Sequence, residues 1–431
     1  MLRRAVVLSL AWLASPSFLP GQTDLPGQAD LPAKGAPAAA TREGQPDPRR
    51  EELRQRLAAF CERTGTPGAT AAVALPDGRV FAVAAGVRES GRDPVMQQDD
   101  RMFCGSIGKT WFAEVALDLV AADKLSLDDA IADHLGDEPW FARLPNHEAI
   151  TVRNLMRHDS GLPRWIEMPG ALAEMAKPDR RWRNGEQVSF VLDKPPVHPA
   201  GQGWAYSDTN YIVLGLIVEK VTGEPIYATV QKTVLDRYEL RDTVPGNRRS
   251  IDRLVQGHAR MFHRFGFPER SLDVSRQPAR LRFDPSSEWC GGGIVTTAGD
   301  LARWARIFGR QPRRNRDGVR AKALGGDTRY GLGVMLRDGA LGPTRGHDGV
   351  FIGYSATMVW FERHDLGIAV LCNCDTAGAG LQPLALELAK VALGGGTSGS
   401  GSPESGSTGS GSTGSGSTGG RSTGNEARTG K

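Results

Sequence analysis

The sequence predicts an α+β fold: an antiparallel β-sheet flanked by N- and C-terminal helices, with a mainly helical region inserted between its halves. Three patterns carry that expectation. Strand-like runs cluster near both ends of the 431-residue chain, helical spacing fills the middle, and each strand block has a helix-like segment beside it. A single sheet assembled from both ends of the chain uses all of them.

Met1 to Ala14 joins Arg3 and Arg4 to an apolar run, the charge and length pattern of an export signal and too short for a comfortable membrane span. Residues 1–22 therefore read as a signal peptide or N-terminal anchor. The protein is expected to be periplasmic or extracellular, touching a membrane only if that segment stays uncleaved. Residues 23–48, rich in Pro, Ala and Gly, read as a linker. The expected folded domain runs from 49 to 393. Glu51 to Glu62 has helical spacing, and Thr70 to Leu75 with Arg79 to Val87 forms a hairpin around Pro76-Asp77-Gly78. The helical insertion is placed at about 111–285. In it, Ser126-Leu127-Asp128-Asp129 fits a capping box, and Asn210 to Val221 fits an amphipathic helix stopped by Gly223. Strands follow at Thr328–Arg337, Gly353–Glu362 and Gly367–Asn373, then a helix at Leu381–Leu393. Residues 394–431, nearly all Gly, Ser and Thr, lack the apolar surface to offset chain entropy and should be disordered.

Composition narrows the function. A hydrophobic share of 39% supports a core, and a formal charge of +4 on this length gives no case for nucleic-acid binding. Arginines gather between Arg303 and Arg320 and between Arg260 and Arg282 without a nucleic-acid motif, which suits a solvated face or contact with an anionic wall. The odd, sparse set Cys61, Cys104, Cys290, Cys372 and Cys374 is unlike a disulfide framework and reads as small buried hydrophobes. No metal site is expected: the eight histidines are scattered and there is no His-Glu-x-x-His.

The chemistry lies in an ordered trio: Ser106-Ile107-Gly108-Lys109, Tyr206-Ser207-Asp208 and His347-Asp348-Gly349. A serine hydroxyl attacks a carbonyl only when a group removes its proton. A lysine three residues along a helix lies on the same face, within reach of that hydroxyl. Tyr206 ends a Gly-rich loop running into a helix, where a phenol could relay a proton. His347 sits between predicted strands at the edge of a cleft. A second His-x-Gly at His134-Leu135-Gly136 precedes the tyrosine and is assigned to a surface or helix end. Gly420-Arg421-Ser422-Thr423-Gly424 lies in the low-complexity tail and is a chance match to the nucleophile-elbow pattern.

With Ile150 to Pro163 and Gly291-Gly292-Gly293 to Ala302 in the same order, the stretch from Glu51 to Leu393 resembles the serine β-lactamase and penicillin-binding-protein-like superfamily. The closest likeness is to its branch of class C β-lactamases, D-alanyl-D-alanine carboxypeptidases and esterases. The resemblance implies a β-lactamase/transpeptidase-like fold and a reaction that needs no cofactor. It makes Ser106 the acylated nucleophile, Lys109 its base and Tyr206 the proton relay. Asp208 would line the substrate cleft, His347 would take the third-motif basic position beside Gly349, and the backbone N–H groups of Ser106 and Val350 would form the oxyanion hole.

Two departures bear on substrate. Many relatives have Asn at position 208, and class C β-lactamases usually have Lys at 347, where a histidine is only partly charged near neutral pH. A carboxypeptidase or esterase is therefore expected over a β-lactamase. Its substrate would be a small molecule or peptide, including D-amino-acid peptides of peptidoglycan. The alternatives are a class C β-lactamase and a catalytically silent module that binds peptidoglycan or such peptides.

Overall fold

The structure, a computed structural model, describes residues 47–394 except 90, 92–93, 312–318 and 321–327. The export-signal segment, nearly all of the linker, the Gly/Ser/Thr tail and Arg313 to Arg316 lie outside the described residues.

Helix α1, Pro48–Thr64, is set at both ends by its sequence. Asp47 accepts from the Arg49 N–H, Pro48 opens the first turn, and Gly65 closes it in the left-handed conformation. The sheet has eight strands, β1 (Gly68–Ala74), β2 (Val80–Gly86), β3 (Val319–Arg320), β4 (Arg329–Tyr330), β5 (Met335–Gly339), β6 (Gly342–Phe351), β7 (Tyr354–Phe361) and β8 (Leu366–Cys372); β3 and β6 go beyond the strands expected, so His347 lies on a strand and not between two. They form one sheet in the order β2-β1-β8-β7-β6-β5-β4-β3, each pair antiparallel. The two ends of the chain meet where β1 pairs with β8, Thr70 opposite Leu371.

Period-2 alternation gives the sheet two buried faces. Val73, Ile368 and Val370 point to one side, against Leu53, Leu57 and Phe60 of α1 and Leu381, Leu384 and Leu388 of the C-terminal helix Leu381–Ala392. Ala72, Ala74, Ala369 and Leu371 point to the other. There they meet Leu301 and Trp304 of a helix at Ala298–Gly309 and, beyond it, the helical region with Trp111 and Leu214. Each fully buried leucine in these layers contributes about 2 kcal/mol of hydrophobic stabilisation.

Four details differ from expectation. Ser126 to Asp129 forms its reciprocal bonds, Asp129 Oδ2 accepting from the Ser126 N–H at 2.9 Å and Ser126 Oγ from the Asp128 N–H at 3.2 Å. It does so around a turn and caps no helix, the next one starting only at Ala132; a capping box is formed by Thr151 with Asn154. The helix expected at 210–221 spans Asp208–Thr222, and Asp208 to Gly215 are all buried, so it is a core helix and not an amphipathic one. The expected strand 328–337 is two strands split by a turn in which the Gly331 N–H donates to the Val334 carbonyl at 2.8 Å. The insertion loses its helical character after Leu240: Val244–Pro245, Leu272–Asp273 and Arg280–Leu281 are short strands.

All five cysteines are buried and unpaired. Several of the described clustered arginines are held by acids of this chain. Arg306 and Arg310 grip Asp365, Arg270 pairs with Glu89 at 2.6 Å, and Arg276 and Arg282 pair with Asp273. Among the described residues no helix is long and apolar enough to cross a membrane.

Candidate active site

Ser106 sits in a single 3-10 turn, Gly105–Gly108, that runs directly into helix α2, Lys109–Ala121. It is half-buried between buried neighbours Gly105 and Ile107, so its side chain is the part of this turn that a substrate can reach. The turn lies along an open sheet edge. Pairing between β5 and β6 stops at Met335 opposite Gly346, which leaves His347 onward uncovered by β5. Gly105, at φ +53°, and Gly349 allow the two backbones to touch there. A Cβ on Gly349 would lie 1.8 Å from the Cys104 carbonyl oxygen and 3.1 Å from the Ser106 nitrogen, and one on Gly105 would lie 2.6 Å from the Val350 nitrogen. The backbones that carry the Ser106 and Val350 N–H groups thus run against each other, the two groups that the resemblance assigns to an oxyanion hole.

Lys109 is completely buried, and its ammonium has an acceptor for each of its three protons. These are Ser106 Oγ at 3.0 Å, Asp208 Oδ1 at 2.6 Å and the Gly291 carbonyl oxygen. Burial alone would depress its pKa, but the Asp208 carboxylate, with Tyr206 and Glu288 nearby, outweighs it and holds the amine above its ordinary value. At rest, therefore, Lys109 is charged and donates to the serine; it is not a free base.

Asp208 does not line the cleft. Its second oxygen accepts from Arg164 Nε at 2.7 Å, so the carboxylate is buried between two cations. Burial would raise its pKa, but Arg164 and Lys109 together hold it well below the usual carboxylate range. Arg164 also pairs with Glu167 at 3.2 Å. Glu288, packed beside this cluster, is pushed up to about 7, first by burial and then by repulsion from Asp208.

The Tyr206 hydroxyl is buried and faces Ser106 and Lys109 without closing a well-aligned hydrogen bond to either. Burial raises its pKa, with Lys109 opposing and Asp208 adding to the rise. Lys109 Nζ lies 5.1 Å and the Arg164 guanidinium carbon 5.4 Å from the centre of its ring, so two cations attend the one phenol.

His347 departs most from expectation. It is fully buried on β6, with Nδ1 2.6 Å from the Asp348 carbonyl oxygen and Nε2 2.8 Å from the Tyr330 hydroxyl. Burial first, then Lys109, lowers its pKa to about 4. It is neutral near pH 7, with both ring nitrogens occupied, so it offers no positive charge to a substrate carboxylate. His134 takes the helix-end position expected of it, with Nε2 3.1 Å from Asp129 Oδ2.

The sequence trio thus converges on one site with Ser106 at its centre. Sequence reasoning missed Arg164, Glu288, His158 and Tyr330. His158 lies within a segment that carried the family resemblance and Arg164 directly follows it; Tyr330 and Glu288 had no signal of their own.

The family model named Beta-lactamase matches residues 53–392. The chain belongs to this family. Esterase EstB of Burkholderia gladioli is 29% identical over 363 residues, which is 74% of this chain and 89% of that one. A putative D-alanyl-D-alanine carboxypeptidase of Escherichia coli (strain K12) is 30% identical over 136 residues, 29% of each chain. Among solved structures, a D-stereospecific amidohydrolase from Streptomyces sp. aligns with a TM-score of 0.65 at 26% identity, covering 79% of this chain and 98% of that one. The D-amino acid amidase of Ochrobactrum anthropi SV3 shares the fold, with a TM-score of 0.67 at 21% identity over 81% and 99% of the two chains. Within the beta-lactamase family this protein is a serine hydrolase.

Asp208 supplies a test of how the site is protonated. It raises the pKa of both Lys109 and Tyr206, so whichever must lose a proton for the serine to react, Asp208→Asn lowers the pH at which that loss occurs. The rising limb of kcat/KM should move to lower pH by about one unit or more. A limb that stays in place, or moves up, shows that neither group governs it.

Proposed function

We propose that this protein is an exported serine hydrolase that forms an acyl-enzyme on Ser106 and acts on small esters and amides, D-amino-acid amides among them, that carry no carboxylate next to the scissile bond. The observation that carries the substrate class is the buried, neutral His347: the third-motif position provides no cation. Lys109 cannot substitute, because it too is fully buried and its three protons are already accepted. The esterase and amidase names among the relatives agree with this reading. Export rests on the charged and apolar pattern of Met1 to Ala14.

In the reaction, the Lys109–Tyr206 pair, one proton short of its resting state, takes the Ser106 proton as Oγ bonds to the carbonyl carbon. The carbonyl electron pair moves onto oxygen, between the Ser106 and Val350 N–H groups. As the tetrahedral species collapses, the bond to the leaving group breaks and that group takes the proton from Tyr206. Water, deprotonated by the same pair, then attacks the acyl carbon; as this second tetrahedral species collapses the acyl carbon–Oγ bond breaks, the pair gives its proton to Ser106 Oγ, and the carboxylic acid product leaves.

The test is a substrate panel on the purified protein: p-nitrophenyl esters, D-amino-acid amides, a D-Ala-D-Ala peptide and a chromogenic cephalosporin. kcat/KM for the uncharged esters and amides should exceed that for the two carboxylate-bearing substrates by at least about tenfold, the scale of one lost charge-assisted contact. A preference for D-Ala-D-Ala overturns the substrate class, and no turnover of any member supports the silent binding module.

A further inference from the structure

Behind Tyr206 lies a run of hydrogen bonds whose direction is fixed at both ends by the backbone. At one end the Ser207 N–H points at His158 Nδ1 at 3.3 Å, and Asn210 Nδ2 reaches the same nitrogen at 2.9 Å. A backbone N–H only donates, so this Nδ1 carries a lone pair, and neutral His158 has its proton on Nε2. That proton faces the Tyr330 hydroxyl at 3.2 Å. At the other end the Asp348 carbonyl only accepts, so His347 carries its proton on Nδ1 and a lone pair on Nε2, 2.8 Å from the same hydroxyl. Tyr330 is completely buried and accepts from one ring while donating to the other. This arrangement of protons satisfies both rings.

We infer that Tyr330 is a positioning residue for the serine reaction: its one hydroxyl locks His158 and His347 as neutral, opposite tautomers and through them fixes Tyr206 and the oxyanion strand. The geometry names both routes. The His158 ring packs on Tyr206 with centroids 4.2 Å apart, and His347 lies two residues before Gly349 on the β6 edge that touches Ser106. An added proton has no place in the run. On His158 Nδ1 it would face the Ser207 N–H, and on His347 Nε2 it would face the Tyr330 proton and turn it away from this ring. The surroundings agree, since burial and Lys109 depress the pKa of both rings. The other charges facing His158 are Asp208 and Arg164, and those facing His347 are Asp348 and Arg337. Tyr206 and Tyr211 adjoin the Tyr330 phenol.

The first test reads the parent protein and does not depend on the acyl-enzyme reading. Nitrogen-15 NMR of the histidine side chains in the full chain, assigned with His158→Gln and His347→Gln, should show one ring protonated at Nε2 and the other at Nδ1. Neither should titrate between pH 5.5 and 8, as follows from a value of about 4 for His347 and a lower-than-ordinary one for His158. The same tautomer on both rings, or titration of either near pH 6.5, overturns the inference. The second test is Tyr330→Phe, which keeps the ring and removes the hydroxyl. With a small ester, kcat should fall about tenfold or more with KM within twofold of the parent, and the acidic limb should move to higher pH as a freed ring accepts a proton. A variant with the parental tautomers and pH profile overturns the inference. If the substrate panel fails while the tautomers are as stated, the functional reading falls and the positioning network stands.

Discussion

Ser106→Ala is expected to abolish both turnover and covalent capture by a fluorophosphonate while leaving thermal unfolding nearly unchanged. The loss in kcat should be about 10⁴-fold or more, because alanine leaves no side-chain oxygen at position 106 to attack the carbonyl carbon and form the acyl bond. The fold should tolerate the change. The lost hydroxyl is one of three acceptors around the Lys109 ammonium, and Asp208 and Gly291 still hold it. Intact-mass measurement after labelling decides the matter: one adduct on the parent and none on the variant. An adduct that persists places the nucleophile elsewhere.

Lys109→Met should lower the acylation rate by about 10³-fold, or roughly 4 kcal/mol in the barrier, since the serine loses the ammonium hydrogen-bonded to it and Tyr206 loses one of the two cations at its ring. It should also destabilise the fold, because Asp208 is left buried with Arg164 alone. The double variant Lys109→Met/Asp208→Asn separates the two effects. Removing the stranded carboxylate should recover part of the melting temperature and none of the acylation rate. Pre-steady-state bursts with a p-nitrophenyl ester give the rate. A loss under tenfold for Lys109→Met, or recovery of the rate in the double variant, would show that the lysine matters through packing alone.

What could be read from the sequence follows from what is local. Ser106 and Lys109 were legible because their spacing fixes a helical neighbour relation, and the two-ended sheet was legible because β1 and β8 alternate between two apolar faces. The break at Gly331 to Val334 was not, since Leu332, Val334 and Met335 continue an apolar run through the turn. Asp208 looked like a substrate contact because its partner Arg164 lies 44 residues away in sequence. His347 looked half-charged because its neutrality comes from burial and from Lys109, both products of the fold.

Joining β1 to β8 also sets a time at which the protein can work. The serine turn comes early in the chain, soon after the first hairpin, yet the sheet edge against which it lies is made by residues 347–351, and the sheet closes only when Leu366–Cys372 pairs with Gly68–Ala74. Pairing across so long a stretch is slow and comes late in folding, because chain entropy must be spent before the contacts form. A nascent or truncated chain that ends between Asp208 and Leu366 therefore carries Ser106, Lys109 and Tyr206 without the closing strand, and is expected to show no reactive serine. Chemistry begins only after the last strand has arrived, on whichever side of a membrane that strand finds its partner.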